Sequence, residues 1–407
     1  MKQLGFVRLC LVSLLAMSAA NVVLADDLPK INLMPQRTAA MIPVKTPGPP
    51  TMEAKAYILI DAKTGKILAE KNADERIEPA SLTKMMTMYV VSEAMARGQI
   101  SNDDQVLISH KSWKTGGSKM YVRVGDHVPV SELVKGIIVQ SGNDACVAMS
   151  EHVAGSESSF VEMMNQTAKQ LGMTGTHFMD STGWPNADHY STARDLATLS
   201  RALIYNFPED YQWYKTKWFT YNNIRQPNRN RLLWRSANID GIKTGHTDGC
   251  GYCLAASGQQ DNMRLIAIVL GAGSDRERAD DAEQLLNYGF RFFENVQLYK
   301  ANQSLSTVRV WQGQQKNIAI GVPQDLFITV PRGQYKNLAV KIETPHFIKA
   351  PVAKNAEIGE LVITLNKEPL TTIPLHALAE CQQGGWWIRF KDAIAMKYHA
   401  WFTGSTS

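Results

Sequence analysis

The sequence predicts an α+β fold: an antiparallel sheet packed with helices, followed by a small all-β sandwich domain. Three observations lead there. A β-hairpin pattern opens the ordered part, a helical block follows over about 130–206, and strand-like runs resume after Trp218. Beyond residue 300, short alternating stretches take over, broken by Gly, Pro and Asn.

In chain order, Lys2 and Arg8 flank a short positive region, and Leu9 to Ala20 is apolar but too short to span a bilayer. Val23-Leu24-Ala25 carries the small-residue cleavage pattern, so residues 1–25 read as a secretory signal cut after Ala25. Loss of Lys2 and Arg8 lowers the formal charge from +5 to +3, too weak to argue for nucleic acid. With 407 residues, 44% apolar and 20% charged, the chain is long and apolar enough for more than one buried core. Residues 26–52 carry six prolines and read as an extended arm rather than a packed element.

Ala56-Tyr-Ile-Leu-Ile60 begins a strand, Asp61 to Gly65 turns, and Lys66 to Ala69 returns as its hairpin partner. After Pro79-Ala80, the residues Leu82, Met85, Met86, Val90 and Ala94 recur at helical spacing, so Ser81 opens a helix. Leu133 to Gln140 and Ala145 to Val153 are apolar segments around a polar break; Phe160 to Leu171 and Ala193 to Tyr205 follow as helices. Gly241 to Thr244, Gly251 to Ser257 and Arg264 to Leu270 read as a meander, closed by a helix over Ala279 to Phe292. The expected boundaries are a domain over 53–297, the all-β domain over 298–383 and a terminal helix over 384–407. On that helix Trp386, Phe390, Ile394 and Trp401 share one face, opposite Arg389, Asp392 and His399, a pattern suited to a membrane surface.

Four cysteines remain after the leader: Cys146, Cys250, Cys253 and Cys381. An extended strand would put Cys250 and Cys253 about 10 Å apart at Cα, beyond disulfide reach, so a bridge needs a turn there. Cys146 reads as a buried small hydrophobe. No cluster has metal-ligand spacing, and neither a metal nor another cofactor is expected.

The chemistry lies in three short motifs. Ser81-Leu-Thr-Lys84 sets a hydroxyl and an ammonium one helical turn apart, and it is the only Ser-x-x-Lys in the chain. A serine needs a base to become a nucleophile, and a buried lysine with a lowered pKa supplies one. Ser141-Gly-Asn143 follows sixty residues later. Its hydroxyl can relay a proton to a leaving amine, and Asn143 can hold a substrate amide. Ser236-Ala-Asn238 has the same pattern but reads as a turn. Lys-Thr-Gly occurs three times, at Lys63, Lys114 and Lys243. The first lies at a hairpin tip and the second in a loop of small residues. Only Lys243-Thr244-Gly245 sits on an inner strand, where Gly245 admits substrate backbone and Lys243 and Thr244 can bind a carboxylate.

Ser-x-x-Lys, Ser-x-Asn and Lys-Thr-Gly, in that order, resemble the motif set of penicillin-binding proteins and class A β-lactamases. With Glu78-Pro-Ala-Ser-Leu-Thr-Lys84, Gln140-Ser-Gly-Asn-Asp-Ala-Cys146, Asp240-Gly-Ile-Lys-Thr-Gly-His-Thr-Asp248, His189-Tyr-Ser-Thr-Ala193 and Tyr288 to Phe293, the chain resembles the D-alanyl-D-alanine carboxypeptidase family of low-molecular-mass penicillin-binding proteins. The resemblance runs from about residue 53 to the end and fits the type with a β-rich C-terminal domain and an amphipathic tail. It implies a β-lactamase/transpeptidase-like catalytic domain, peptidoglycan pentapeptide stems as substrate, and β-lactam antibiotics as acylating inhibitors. It also implies a periplasmic protein held at the outer face of the inner membrane. Ser81, Lys84 and Ser141 are then catalytic, the backbone N–H groups of Ser81 and His246 form the oxyanion hole, and Arg278, or its neighbour Arg276, meets the substrate carboxylate.

Two rivals share the chemistry: a D,D-endopeptidase and a class A-like β-lactamase. The latter expects Glu-x-x-Leu-Asn between the second and third motifs, and the only match, Glu283 to Asn287, falls after them. A non-catalytic wall-associated scaffold is the remaining alternative, and the intact motif residues argue against it.

Overall fold

The computed structural model describes residues 20–23 and 46–403. The expected leader, apart from Ala20–Val23, and most of the Pro-rich arm lie outside the described residues. The chain forms two compact units, one over Lys45–Asn295 and one from Val296 onward.

The first unit is built on five antiparallel strands: β1 (Ala56–Asp61), β2 (Ile67–Lys71), β3 (Ile239–Thr247), β4 (Gly251–Gln260) and β5 (Met263–Ala272), in the order β2-β1-β5-β4-β3. Successive side chains point to opposite faces. Ile58, Ile60, Ile266 and Ile268 enter a core shared with the helical block, while Tyr57, Leu59, Leu265, Ala267 and Val269 pack against Ala279, Ala282 and Leu285 on the far side. A sheet covered on both faces needs no polar alternation, which is why Leu265 to Leu270 is an unbroken apolar run.

The main helices are α1 (Lys84–Ala96), α2 (Asn143–Ala154), α3 (Glu157–Gln170), α4 (Ala193–Asn206) and α5 (Asp275–Phe292). The helical spacing of Leu82, Met85, Met86, Val90 and Ala94 predicts α1. In the structure ten of its 13 residues are buried, so it runs through the middle of the helical block rather than over its surface. Helices α3, α4 and α5 begin at Ser156, Thr192 and Ser274, whose side chains each accept a backbone N–H of the first turn, worth about 1 kcal/mol apiece. Helix α5 lies close on the sheet because Gly289 has no side chain: a Cβ there would sit 2.4 Å from Leu265 Cδ1.

One expectation needs correction. The end of the Pro-rich arm is packed: Met52 is buried, Lys71 Nζ donates to its carbonyl at 3.2 Å, and Tyr288 OH donates to the Pro47 carbonyl at 3.0 Å.

The second unit is all-β, with a seven-stranded sheet and a separate pair, Phe293–Tyr299 with Leu326–Pro331. Val296, Leu298, Ile328 and Val330 of the pair share one core with Val310, Ile320, Ile342, Leu361 and Ile363. One of the seven strands, Ala20–Val23, antiparallel to Leu338–Pro345, lies in the leader expected to be removed; the other six come from the chain beyond Asn295. The unit ends in α6 (Trp386–Thr403). The polar side of α6 meets the unit: Asp392 accepts the Gln312 N–H at 2.5 Å and pairs with Arg309, and His399 packs on Trp311. Trp386, Trp387, Phe390, Ile394 and Tyr398 are exposed.

Candidate active site

Ser81 sits in a 3₁₀ turn, Ala80–Thr83, that runs into α1. Ala80 is held at φ +48°, a left-handed conformation that costs a non-glycine residue about 1 kcal/mol or more. Two glycines make that turn possible. A Cβ on Gly183 (φ +85°) would lie 1.8 Å from the Ala80 carbonyl oxygen, and one on Gly245 would lie 2.9 Å from that of Pro79. The nearest neighbours of Gly245 are in the nucleophile's own turn, so it lets β3 close against Ser81.

Lys84 is buried, and its Nζ donates to Ser81 Oγ at 3.0 Å and to the Thr182 carbonyl at 2.6 Å. Burial pushes its pKa down, which favours the neutral amine a base must be. Lys243 is buried too, donates to the Thr244 carbonyl at 2.9 Å, and is pushed well below the ordinary lysine range by burial and then by the nearby charges of Lys84 and Arg229. A carboxylate arriving beside Lys243 would restore its charge.

Ser141 ends a helical turn over Gly136–Gln140 and is held at φ +63°. Its Oγ is buried and without a hydrogen-bond partner among the described residues, free for a substrate or a proton in transit. Asn143 opens α2; its N–H donates to the Ser118 carbonyl at 2.7 Å and its Nδ2 to that of Gly116 at 2.8 Å. The loop Lys114 to Gly117, whose Lys-Thr-Gly does not carry the third motif's role, is therefore part of the site's rim. Asp144 fixes the next stretch of that rim by accepting the N–H groups of Met120, Tyr121 and Val122 at 2.9, 2.9 and 3.3 Å.

β3 lies at the sheet edge, not on the inner strand expected from sequence, and carries Lys243, Thr244, Gly245 and His246 along the cleft, with one side unpaired by other strands of its sheet. His246 packs on Tyr252 with ring centroids 4.0 Å apart. The two candidate arginines separate clearly. Arg276 is 83% exposed and pairs with Asp280, whereas Arg278 is buried and donates to the carbonyls of Gly245 at 2.8 Å and Cys253 at 3.3 Å while pairing with Asp275. Arg278 thus holds the Gly245 end of β3 in place.

Sequence reasoning missed three contributors. His189 links Thr83 Oγ1 at 2.9 Å to Asp180 at 3.3 Å, bracing the nucleophile's turn. Burial opposes ionisation of Asp180, but hydrogen bonds from His189 and Thr182 outweigh it and hold the carboxyl below its usual range. Arg229, between the anchored Asn228 and Asn230, adds a positive charge felt by both Lys84 and Lys243. His189 heads the His189-Tyr-Ser-Thr-Ala193 stretch but was given no role from sequence, and no motif marked Asp180 or Arg229, because their role comes from placement across the fold.

Cys146 is fully buried, with its thiol pushed up to about 12 by desolvation, an inert hydrophobe as read. A turn does bring Cys250 and Cys253 together, with sulfurs 3.8 Å apart and unbridged. Ser236 and Asn238 form a turn, Asn238 N–H to Ser236 Oγ at 3.2 Å. Glu283, of the Glu-x-x-Leu-Asn match, lies on α5 paired with Arg235. Among the described residues no group of side chains suits a metal ion.

Residues 43–274 match the family model of the D-alanyl-D-alanine carboxypeptidases, and residues 293–383 match that of the penicillin-binding protein 5 C-terminal domain. The chain is 45% identical to the D-alanyl-D-alanine carboxypeptidase DacC of Escherichia coli (strain K12), over 87% of this chain and 90% of that protein. It is 42% identical to DacA of the same organism over 97% of each. Penicillin-binding protein 5 from Haemophilus influenzae is similar in structure, with a TM-score of 0.80 at 39% identity, covering 82% of this chain and 99% of that one.

Proposed function

The chain belongs to the D-alanyl-D-alanine carboxypeptidase family of serine peptidases, and we propose that Ser81 is the residue its substrate acylates. The observation that carries this is the 3.0 Å hydrogen bond from buried Lys84 to Ser81 Oγ. Ser81 Oγ attacks the carbonyl between the two terminal D-alanines of a pentapeptide stem as Lys84 takes its proton. The backbone N–H groups of Ser81 and His246 receive the oxyanion. Ser141 passes a proton to the departing D-alanine nitrogen, and water then attacks the acyl-enzyme and frees Ser81. Asn143 holds the amide on the acyl side. Lys243 and Thr244 receive the terminal carboxylate, and Arg278 acts through the strand it anchors.

Penicillins acylate the same serine. Supporting slow rather than rapid hydrolysis of that adduct, Glu157 is engaged by Ser181 and Lys111, and Glu283 by Arg235. Fast turnover of benzylpenicillin would instead favour the β-lactamase reading. Fluorescent penicillin is expected to label the wild type at one site and Ser81→Ala not at all; equal labelling of both would remove Ser81 from the mechanism.

We further propose a periplasmic location at the membrane surface, supported by the exposed aromatic side of α6 and its polar side turned to the protein. No described helix is long and apolar enough to cross a membrane. The intact chain is expected to sediment with anionic lipid vesicles and a chain ending at residue 385 to stay in solution; equal behaviour of the two would refute the attachment.

A further inference from the structure

We propose that Trp184 sets the cleft's specificity as an apolar platform for the acyl side chain on the N-terminal side of the scissile bond. The inference rests on the reading of the cleft above.

Trp184 is 55% exposed although it directly follows the best-anchored stretch of the site. The Thr182 carbonyl holds Lys84, Gly183 lies against Ala80, and the Trp184 N–H itself donates to Asp180 Oδ1 at 3.2 Å. The Trp184 backbone is thus fixed one residue after the glycine that abuts the nucleophile's turn. A single exposed aromatic residue is ordinary on a protein surface. What sets this one apart is its floor. Side chains on Gly116 and Gly117 would begin 3.5 Å and 3.1 Å from the ring, so the loop beneath it is stripped to backbone.

That same floor leads to Asn143. The Cβ point of Gly117 lies 3.1 Å from the Trp184 ring and 2.6 Å from Asn143 Nδ2, so ring and amide are at most 5.7 Å apart. A substrate amide held by Asn143 therefore carries its next group past the indole. An indole offers a large rigid surface at little entropic cost and suits a flexible aliphatic chain or an aromatic ring. A carboxylate or a sugar hydroxyl would gain little there. The group recognised is thus an apolar acyl substituent, such as the carbon chain of the residue preceding the two D-alanines, or the side chain of a penicillin.

Two penicillins isolate that contact. Benzylpenicillin carries an aromatic acyl group, while 6-aminopenicillanic acid has the same nucleus and none. The measurement is the second-order acylation rate of the full chain with each, for wild type, Trp184→Ala and Trp184→Phe. Trp184→Ala is expected to lower the benzylpenicillin to 6-aminopenicillanic acid rate ratio by roughly tenfold, the scale of one aromatic contact, and Trp184→Phe to keep most of it. An unchanged ratio in Trp184→Ala would overturn the proposal. If both rates fall together, Trp184 merely props up the Gly116–Gly117 loop; if neither falls, it touches no substrate. A wild type acylated by neither compound would sink the reading of the cleft itself, a different failure.

Discussion

Gly183 shows how tightly the nucleophile is held. It sits at φ +85°, with the Ala80 carbonyl oxygen 1.8 Å from where a Cβ would be. Gly183→Ala must therefore displace either its own loop or the turn that carries Ser81. It is expected to cost about 2 kcal/mol or more of stability and to slow penicillin acylation by more than about tenfold. Thermal melting and stopped labelling check both; a variant as stable and as fast as wild type would mean that Gly183 does not set the position of Ser81. At this scale the sequence was informative where chemistry is written in residue types. Ser81, Lys84, Ser141 and Lys243 stood out by order and spacing. Gly183, Asp180 and Arg229 did not, and His189 stood in a quoted stretch with no role attached, because a close approach, a brace and a distant charge are properties of folded neighbours.

Among the elements, α5 carries a titratable weak point. Asp281 is buried, one of its carboxylate oxygens lacks a partner among the described residues, and its pKa is pushed up to about 6 by burial and then by Glu277 and Asp280. An ordinary aspartate, as in the unfolded chain, titrates near 3.8. As pH rises from 3.8 to about 6 the unfolded chain releases a proton that the folded state retains, so the folded state loses stability over that window and stays penalised above it. Asp281→Asn is expected to raise Tm by roughly 3 °C at neutral pH and to change it little below pH ~4. The same shift at both pH values would assign the effect to packing rather than charge. Element types were largely legible: the hairpin at Ala56, the meander from Gly241 and α5 all follow from periodicity. The burial of ten of the 13 residues of α1 was not, since a helix enclosed by other helices needs little polar face and its periodic residues mark only part of its contacts.

For the whole molecule, the change of pattern near residue 300 was the clearest sequence signal, and two compact units with separate cores correspond to it. The packed end of the Pro-rich arm was not foreseen, because proline content reports backbone stiffness and says nothing of what Met52 and Pro47 touch. The tail was readable as an amphipathic helix, and which side meets protein became clear only from Asp392 and His399. All of this architecture serves one claim, that the family's reaction runs through an acylated Ser81. The measurement that tests it most directly is release of free D-alanine from a pentapeptide ending in D-Ala-D-Ala by the intact wild type and by Ser81→Ala. Steady release by the wild type and none above background by Ser81→Ala is expected; release by Ser81→Ala at the wild-type rate would contradict the account.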